Sequence, residues 1–233
     1  MGSIEIARAE SERGELVLRR RQGEAGSPAA LELRANGVFV MDTVETTTER
    51  ALAAMALAAV AEPRAVMIGG LGLGFTMHEV LADPRVERCV VVELEQALVD
   101  WMRDGTIEHG PGVIADSRVR LVVADIAAAV AEARPASYDL LLLDVDNGPG
   151  YLVHDANAAL YENHFLQRAR DLLRPGGAVA VWSAAEAPDL EETLTAVFSS
   201  VRVERYDVRL GERDEHYWLY LGCLGPGRSP TGR

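Results

Sequence analysis

The stretch AVMIGGLGLGF, Ala65–Phe75, decides the fold of this chain. Its apolar first half predicts a buried strand, its glycines at Gly70, Gly72 and Gly74 predict a tight turn, and the segment Phe75–Leu81 predicts a helix. Glycine has no Cβ and tolerates positive φ, so such a turn allows a ligand to approach the backbone closely. The N-terminus of the following helix offers unpaired N–H groups and a partial positive charge. The stretch therefore predicts a ligand-binding turn between a strand and a helix.

Strands and helices alternate from Ala65 onward. Apolar runs predict five strands, at Ala65–Ile68, Cys89–Val92, Val119–Val123, Tyr138–Leu143 and Ala178–Trp182. Helices are predicted between them, at Phe75–Leu81, Gln96–Met102, Ile126–Ala133 and Leu160–Leu173. Near-continuous apolar strands joined by helical crossovers indicate a parallel sheet covered on both faces. Two extended runs on either side of the polar segment GERDEH predict a closing antiparallel hairpin, at Val201–Leu210 and Tyr217–Gly222.

The N-terminal part of the chain follows a different pattern. Mixed apolar and polar runs predict short strands of an antiparallel β appendage, at Glu15–Arg19, Leu31–Arg34 and Val38–Met41. Thr46 or Thr47 is predicted to cap a helix that runs to Ala61 and is stopped by Pro63. The predicted organisation is an appendage with a linking helix over residues 1–62, an α/β domain over 63–224 and a disordered tail over 225–233.

The chain is strongly acidic, with 36 acidic and 23 basic residues and a formal net charge of −13. This charge argues against nucleic acid as a partner and suits a cationic substrate such as a polyamine, although acidic surfaces also keep proteins in solution. The longest apolar run in the N-terminal part, Ala51–Ala61, is too short to span a bilayer, so no membrane association is predicted. Cys89 and Cys223 are predicted to be buried thiols of a cytoplasmic protein. The five histidines lack metal-ligand spacing, so no metal site is predicted.

Acidic residues follow the predicted parallel strands at the points where the strands end. The second strand ends in Glu93, the third in Asp125 and the fourth in Asp144. Ligands of open parallel sheets bind beyond the carboxyl ends of the strands, and an acid after the second strand commonly accepts hydrogen bonds from ribose hydroxyls. Each acid also has a purely structural alternative: Asp125 as a helix cap, Glu93 as solvated surface, and the Asp144–Asp146 segment as turn chemistry. Together with the glycine turn, the acids predict a nucleoside site.

The glycine spacing separates two kinds of nucleoside site. The nicotinamide fingerprint requires a third small residue where this chain has Phe75. The GxGxG spacing, Glu93, Ala124–Ile126 and the LLRPGG turn at Leu172–Gly177 resemble the S-adenosylmethionine-dependent methyltransferases. That resemblance implies a Rossmann-like seven-stranded methyltransferase fold, in which a parallel sheet ends in an antiparallel hairpin. It also implies S-adenosylmethionine as the donor, held by Gly70, Gly72, Gly74, Glu93, Asp125, Ile126 and Asp144.

Four further segments narrow the resemblance within that superfamily. IGG at Ile68–Gly70, VVELE at Val91–Glu95, DSRVR at Asp116–Arg120 and YDLLLLD at Tyr138–Asp144 resemble the spermidine synthase family, and the similarity extends from Leu31 to Gly222. The resemblance implies a small-molecule acceptor such as an amine and, as an alternative donor, decarboxylated S-adenosylmethionine. The N-terminal appendage is a plausible contact of a homodimer.

The chain departs from the spermidine synthase pattern at three amine-handling positions. Gly72 stands where the family motif IGGGDGG has the aspartate that holds the aminopropyl amine. Asn147 and Gly148 stand where the family motif D-[ST]-[ST]-D-P has its second acid and its proline, and Asp146 is an extra acid one place earlier. The segment ETTTE, Glu45–Glu49, lacks the family's tyrosine–histidine pair. These departures favour methyl or related alkyl transfer over aminopropyl transfer.

The acceptor side is predicted from the loop after the fourth strand. A carboxylate, Asp144 or Asp146, would be the base that removes a proton from an amine. Four further side chains are predicted to orient or enclose the acceptor, Asn147, Asn157, Tyr161 and Trp182. Two alternatives stay open: an aminopropyltransferase in which Asp146 replaces the missing acid, and a non-catalytic protein that only binds a nucleoside.

Overall fold

The structure is a computed structural model that describes residues 2–23, 29–150, 152, 154–210 and 213–226. The chain forms two β-sheets with helices packed around the second. The N-terminal sheet contains β1 (Ser3–Ser11), β2 (Gly14–Arg21), β3 (Ala30–Ala35) and β4 (Val38–Asp42). The main sheet contains β5 (Ala65–Gly69), β6 (Arg88–Glu93), β7 (Val119–Val123), β8 (Tyr138–Leu143), β9 (Leu173–Ser183), β10 (Ser200–Leu210) and β11 (Arg213–Cys223). The helices are α1 (Thr47–Ala59), α2 (Phe75–Ala82), α3 (Gln96–Asp104), α4 (Gly110–Ile114), α5 (Ile126–Glu132), a 3-10 helix (Asp155–Tyr161), α6 (Asn163–Leu172) and α7 (Pro188–Val197).

The main sheet has the strand order β10-β11-β9-β8-β5-β6-β7. Strands β5 to β9 are mutually parallel, and β11 joins β9 in the antiparallel direction. Alternate residues of the buried strands face opposite sides, so Leu140 and Leu142 pack in one core cluster while Leu141 and Leu143 pack in the other. This arrangement confirms the predicted seven-stranded Rossmann-like fold.

The structure differs from the predicted elements in several places. Strand β1 was not predicted because most of its residues are exposed and its apolar alternation shifts by one residue at Ala7, where the register with β2 also shifts. The predicted helix Leu160–Leu173 is divided: Leu160 belongs to the 3-10 helix, α6 begins at Asn163, and Leu173 already pairs with Tyr138 as the first residue of β9. Helices α4 and α7 were also not predicted. The run Arg213–His216, predicted as a turn, lies in β11.

Two further predictions concern the ends of helix α1 and the C-terminal tail of the chain. Thr46 occupies the cap position of α1 but makes no side-chain cap; its Oγ1 accepts a hydrogen bond from Nε of Arg50 at 3.3 Å. Helix α1 ends at Ala59 because Val60 is extended. Residues 227–233 of the predicted disordered tail lie outside the described residues. Among the described residues, no helix is long and apolar enough to cross a membrane.

The N-terminal sheet packs onto the carboxyl edge of the main sheet. Leu33 and Met41 belong to the same core cluster as Ile68 of β5. The turn between β1 and β2 is fixed by Arg13, whose Nε donates to Glu95 at 2.5 Å. The N-terminal sheet, β1 to β4, therefore covers the edge where the predicted nucleoside-binding residues lie. We call this sheet the roof.

Candidate active site

A cavity of about 850 Å³, counting the space that opens to solvent, lies between the roof and the carboxyl edge of the main sheet. We call it the first cavity. Its upper wall is apolar and comes from the N-terminal sheet, from Leu16, Leu33, Ala35 and Val40. Its floor comes from the ends of the parallel strands and includes Gly70, Gly72, Glu93, Asp125, Ile126, Asp144, Asp146 and Asn157.

The glycine turn is held in a conformation that requires glycine. Gly70 has φ +90°, and a Cβ there would lie 2.0 Å from the carbonyl oxygen of Asp144. Gly74 has φ +85° and is the cap residue of α2, and its Cβ would lie 2.5 Å from Cε of Met102. The turn therefore runs against the end of β8 and leaves no room for side chains at Gly70.

Gly72 contacts the roof. It has φ +50°, and a Cβ there would lie 2.7 Å from Sδ of Met41. The same sulfur accepts the N–H of Leu73 at 3.2 Å. Met41 is almost fully buried. Its thioether therefore occupies the space next to position 72, on the side toward the roof.

Glu93 is buried under the glycine turn. Its Oε2 accepts the N–H of Leu71 and its Oε1 accepts the N–H of Glu95, both at 2.8 Å. Burial raises the pKa of Glu93, and these backbone donors partly offset that rise. A carboxylate oxygen can accept more than one hydrogen bond, so the same carboxylate that fixes the turn can bind ligand hydroxyls in the first cavity.

Replacing Glu93 with glutamine is expected to weaken nucleoside binding about 10- to 100-fold, because its amide NH2 would oppose one of two buried N–H groups. Titration calorimetry with S-adenosylmethionine measures the change. Glu192→Gln makes the same replacement on the exposed face of α7 and is expected to bind like the unmodified protein. Equal affinity of the two variants would contradict the role of Glu93.

Asp125 has the structural role that the sequence offered as an alternative. Its Oδ1 accepts the N–H groups of Ala127 at 2.6 Å and Ala128 at 3.2 Å, so the side chain caps α5. Asp125 and Ile126 also line the first cavity. Their predicted contact with the nucleoside is compatible with this placement and stays a prediction.

Asp144 follows the end of β8 and is half-buried. Its Oδ2 accepts the hydroxyl of Thr76 at 2.5 Å. Burial raises the pKa of Asp144 to about 6, against the lowering effect of the Thr76 hydrogen bond. A carboxylate with this pKa is mostly ionised at neutral pH. Its pKa is also close enough to neutral pH for the group to exchange protons.

Hydrogen bonds of Asp146, Asn157 and Tyr161 hold the segment that follows β8 in place. Asp146 has φ +60° and accepts hydrogen bonds from Asn147 N at 2.8 Å, His154 N at 3.1 Å and Asn157 Nδ2 at 2.9 Å. The hydroxyl of Tyr161 donates to the Val145 carbonyl at 3.1 Å. Asp146 and Asn157 line the first cavity. Their predicted roles would therefore require the acceptor to contact them from within that cavity.

A second cavity shares Val40 with the lining of the first, includes Met41 in its own lining and is open to solvent. Its acidic lining comes from Asp42, Glu45, Glu49, Glu186 and Glu215. Its aromatic lining comes from Phe39, Trp182, Tyr217 and Trp218, and Asn147, Arg213 and His216 lie at its wall. The rings of Trp182 and Tyr217 are 4.9 Å apart. Of the predicted acceptor residues, Asn147 and Trp182 therefore meet here.

Trp182 carries an unused donor in this cavity. Its Nε1 is buried and has no hydrogen-bond partner within the described part of the chain, although the side chain as a whole is 9% exposed. A buried donor without a partner costs free energy. Carboxylates and aromatic faces together attract organic cations.

Sequence reasoning missed the acids of the second cavity. Glu49 lies in the first turn of α1, Glu186 follows β9, and Glu215 lies in β11. None of them follows a parallel strand directly, which was the signal used to find Glu93 and Asp144. The ETTTE segment did mark the position of Glu49, but only as a departure from a pattern. Among the described residues, no group of three or more His, Cys, Asp or Glu side chains is arranged to hold a metal ion.

A glycine turn after the first parallel strand, a buried acid at the end of the second and a half-buried carboxylate after the fourth define a Rossmann-like domain of the methyltransferase class. The match to a family model then makes the assignment specific. The spermine/spermidine synthase domain matches residues 45–203, and the chain belongs to that family.

Two groups of relatives show different named activities. Polyamine aminopropyltransferase 2 of Pseudomonas aeruginosa is 37% identical over 158 residues, covering 63% of this chain and 43% of that protein. Putrescine N-methyltransferase 3 of Nicotiana tabacum is 34% identical over 125 residues, covering 53% of this chain and 31% of that protein. The chain thus spans less than half the length of these relatives.

Solved structures share the fold. A spermidine synthase in complex with the transition-state analogue AdoDATO superposes with a TM-score of 0.80 at 19% identity, covering 95% of this chain and 74% of that one. Human methyltransferase-like protein 13 in complex with SAH superposes with a TM-score of 0.55 at 22% identity, and the match covers 79% of this chain and 85% of that one.

Proposed function

We propose that this protein transfers an alkyl group from a sulfonium nucleoside to an amine, with aminopropyl transfer from decarboxylated S-adenosylmethionine to a polyamine as the leading reaction. The observation that carries the proposal is the pair of adjoining cavities, one on the strand ends and one rich in carboxylates. The family membership and the similarity to an aminopropyltransferase support it.

The first cavity suits the nucleoside of the donor. Gly70 allows the backbone to approach the donor, Glu93 would accept the ribose hydroxyls, and the segment Asp125–Ile126 would contact the adenine. The bound donor supplies a carbon activated by its sulfonium. The apolar wall contributed by the N-terminal sheet would exclude water from that carbon.

The second cavity suits a cationic acceptor. Its carboxylates outnumber its basic groups, and Trp182 and Tyr217 offer ring faces and one buried donor. Asp144 lines the first cavity, and Thr76 joins it to the first turn of α1, which lines the second. We expect the amine to attack in line with the breaking C–S bond, with Asp144 orienting the attacking nitrogen.

Product analysis tests the proposal directly. Incubation with decarboxylated S-adenosylmethionine and a panel of diamines and polyamines is expected to give an aminopropylated product by mass spectrometry, and the same panel with S-adenosylmethionine is expected to give none. Methylated products alone would overturn the leading reaction and establish the second candidate. Donor binding without any product would favour the non-catalytic alternative.

Methyl transfer is the second candidate, and the contact between Met41 and Gly72 favours it. Position 72 carries no carboxylate, and the thioether of Met41 occupies the adjoining space. A thioether is at most a weak hydrogen-bond acceptor and cannot pair with an ammonium group as a carboxylate does. The putrescine N-methyltransferase relatives support the same candidate.

Exchanging these two residues is expected to change the donor preference. Gly72→Asp alone should weaken binding of both donors, because its Cβ would lie 2.7 Å from the Met41 sulfur. Met41→Ala combined with Gly72→Asp frees that space for the carboxylate, and is expected to shift preference toward the decarboxylated donor by about tenfold. Calorimetry of both donors with the three proteins measures this. An unchanged preference in the double variant would show that position 72 does not contact the donor's tail.

A further inference from the structure

Glu49 lines the second cavity, and the reaction proposed above gives its carboxylate no role. It lies in the first turn of α1 and is partly buried. Its Oε2 accepts the hydroxyl of Thr48 at 3.2 Å. Among the described residues, no Arg, Lys or His side chain forms an ion pair with it. A carboxylate in an open acidic cavity without a cationic partner is suited to bind a cation from solution.

The side chain of Thr76 lies between Asp144 and the backbone of Glu49. The hydroxyl of Thr76 lies 2.5 Å from Oδ2 of Asp144 and 3.3 Å from the carbonyl oxygen of Glu49. The hydroxyl has one hydrogen, which it donates to Asp144 over the shorter distance, and the first turn of α1 lies beside it. Burial and the nearby charge of Asp144 raise the pKa of Glu49 to about 8. The charge of Asp144 therefore acts on Glu49, although the two carboxylates line different cavities.

The other charged groups around Glu49 are mostly acidic. Asp42 is paired with Arg21 at 2.9 Å, whereas Glu45, in the segment before α1, adds to the negative field at Glu49. Glu186, after β9, faces the same cavity. On β11, Arg213 lies 3.8 Å from Glu215, and His216 and Tyr217 also line the wall. The balance of these charges favours a cation beside Glu49.

We propose that Glu49 is a catalytic residue of the reaction inferred above: its carboxylate binds the ammonium group of the acceptor and takes the proton that this group must lose. The inference rests on the proposed function. The ammonium gives one proton to Glu49 and becomes a neutral amine. The nitrogen lone pair then forms a bond to the donor carbon, and the C–S electron pair leaves with sulfur as a neutral thioether. The product nitrogen carries the positive charge that the sulfonium held.

Glu49 is better matched to this proton than Asp144. An alkylammonium group has a pKa near 10.4, so transfer to a carboxylate with a pKa of about 8 is less unfavourable than transfer to one with a pKa of about 6. Asp144 then stays ionised and keeps the amine in line. A cationic acceptor lowers the pKa of both carboxylates when it binds, so Glu49 stays the stronger base of the two, and at neutral pH it releases a proton to solvent.

The experiment compares Glu49→Gln, Glu49→Asp and Glu192→Gln with the unmodified protein. In Glu49→Gln, kcat/KM for the acceptor is expected to fall about 100-fold, and its acidic limb to move from near pH 8 to near pH 6. Glu49→Asp is expected to recover part of the rate. Calorimetry of spermidine in buffers of different ionisation enthalpy should show proton release on binding at pH 7 in the unmodified protein and in Glu192→Gln, but not in Glu49→Gln.

The outcomes separate this inference from the proposed function. Donor binding is measured for each variant, because Glu49 does not line the first cavity and its loss should leave the donor affinity unchanged. An unchanged rate and pH profile in Glu49→Gln would overturn the inference, as would loss of donor binding in that variant. If the unmodified protein binds no donor, the proposed function fails, and the spermidine titration alone decides on Glu49. Absence of proton release in that titration would overturn it.

Discussion

Replacing Gly70 with alanine is expected to abolish detectable nucleoside binding and to lower the free energy of unfolding by about 2–4 kcal/mol. The added Cβ would lie 2.0 Å from the carbonyl oxygen of Asp144, which is backbone and cannot rotate away. The residue also has φ +90°, a region that L-residues with a side chain rarely adopt. The turn must therefore move away from β8, and both the turn and Asp144 belong to the first cavity.

Urea unfolding and titration calorimetry with S-adenosylmethionine measure the two effects separately. Gly112→Ala is the matched control, because no heavy atom lies within 4 Å of a Cβ at that position, inside α4. It is expected to leave binding unchanged and to keep or slightly raise stability, since alanine favours helix. Normal binding by Gly70→Ala would show that the turn is not part of the nucleoside site.

The parallel sheet could be predicted from the sequence because each buried strand is apolar on both faces. The run Tyr138–Leu143 has no residue exposed to solvent, and four consecutive leucines, Leu140–Leu143, give it a continuous hydrophobic pattern. Strand β1 lacks this signal because it lies at the edge of the N-terminal sheet with most residues exposed. The division of Leu160–Leu173 could not be predicted, because apolar residues at helical spacing continue from the 3-10 helix into α6 and on to Leu173 in β9.

The first cavity was predictable for a topological reason. The carboxyl ends of neighbouring parallel strands meet at one edge, so Gly70, Glu93 and Asp144 had to lie close together once the strands were identified. The second cavity combines β4, α1, β9 and β11, which are distant in sequence and have no common pattern. The role of Asp146 could not be predicted from the position of an acid in the sequence. Its backbone is left-handed, and its carboxylate accepts the N–H groups of its own loop.

Asp144→Asn is expected to reduce kcat about 10³-fold while nucleoside binding stays within about tenfold of the unmodified protein. Asparagine keeps the size of the side chain and can still accept the Thr76 hydroxyl, so the end of β8 keeps its shape. It loses the negative charge that orients the amine and balances the cations of the reaction. Single-turnover rates with saturating donor and acceptor measure the chemical step.

The same replacement is expected to stabilise the fold at neutral pH. Folding raises the pKa of Asp144 to about 6, so between roughly pH 4 and 6 the folded protein binds more protons than the unfolded chain. The ionised carboxylate therefore destabilises the fold increasingly as pH rises through that window, and fully above it. Asp144→Asn removes this cost and should gain on the order of 2 kcal/mol at pH 7 and almost nothing at pH 4.

Opposite changes in stability and activity would assign Asp144 a functional role. A carboxylate that served only to hold the loop would lose stability on replacement, and its loss would impair nucleoside binding along with any turnover. A buried charge that weakens the fold but supports the reaction gives the reverse pattern, a more stable protein with intact binding and a slow chemical step. If Asp144→Asn is less stable at pH 7 than the unmodified protein, or if turnover is unchanged, Asp144 has a structural role and is not needed for the reaction.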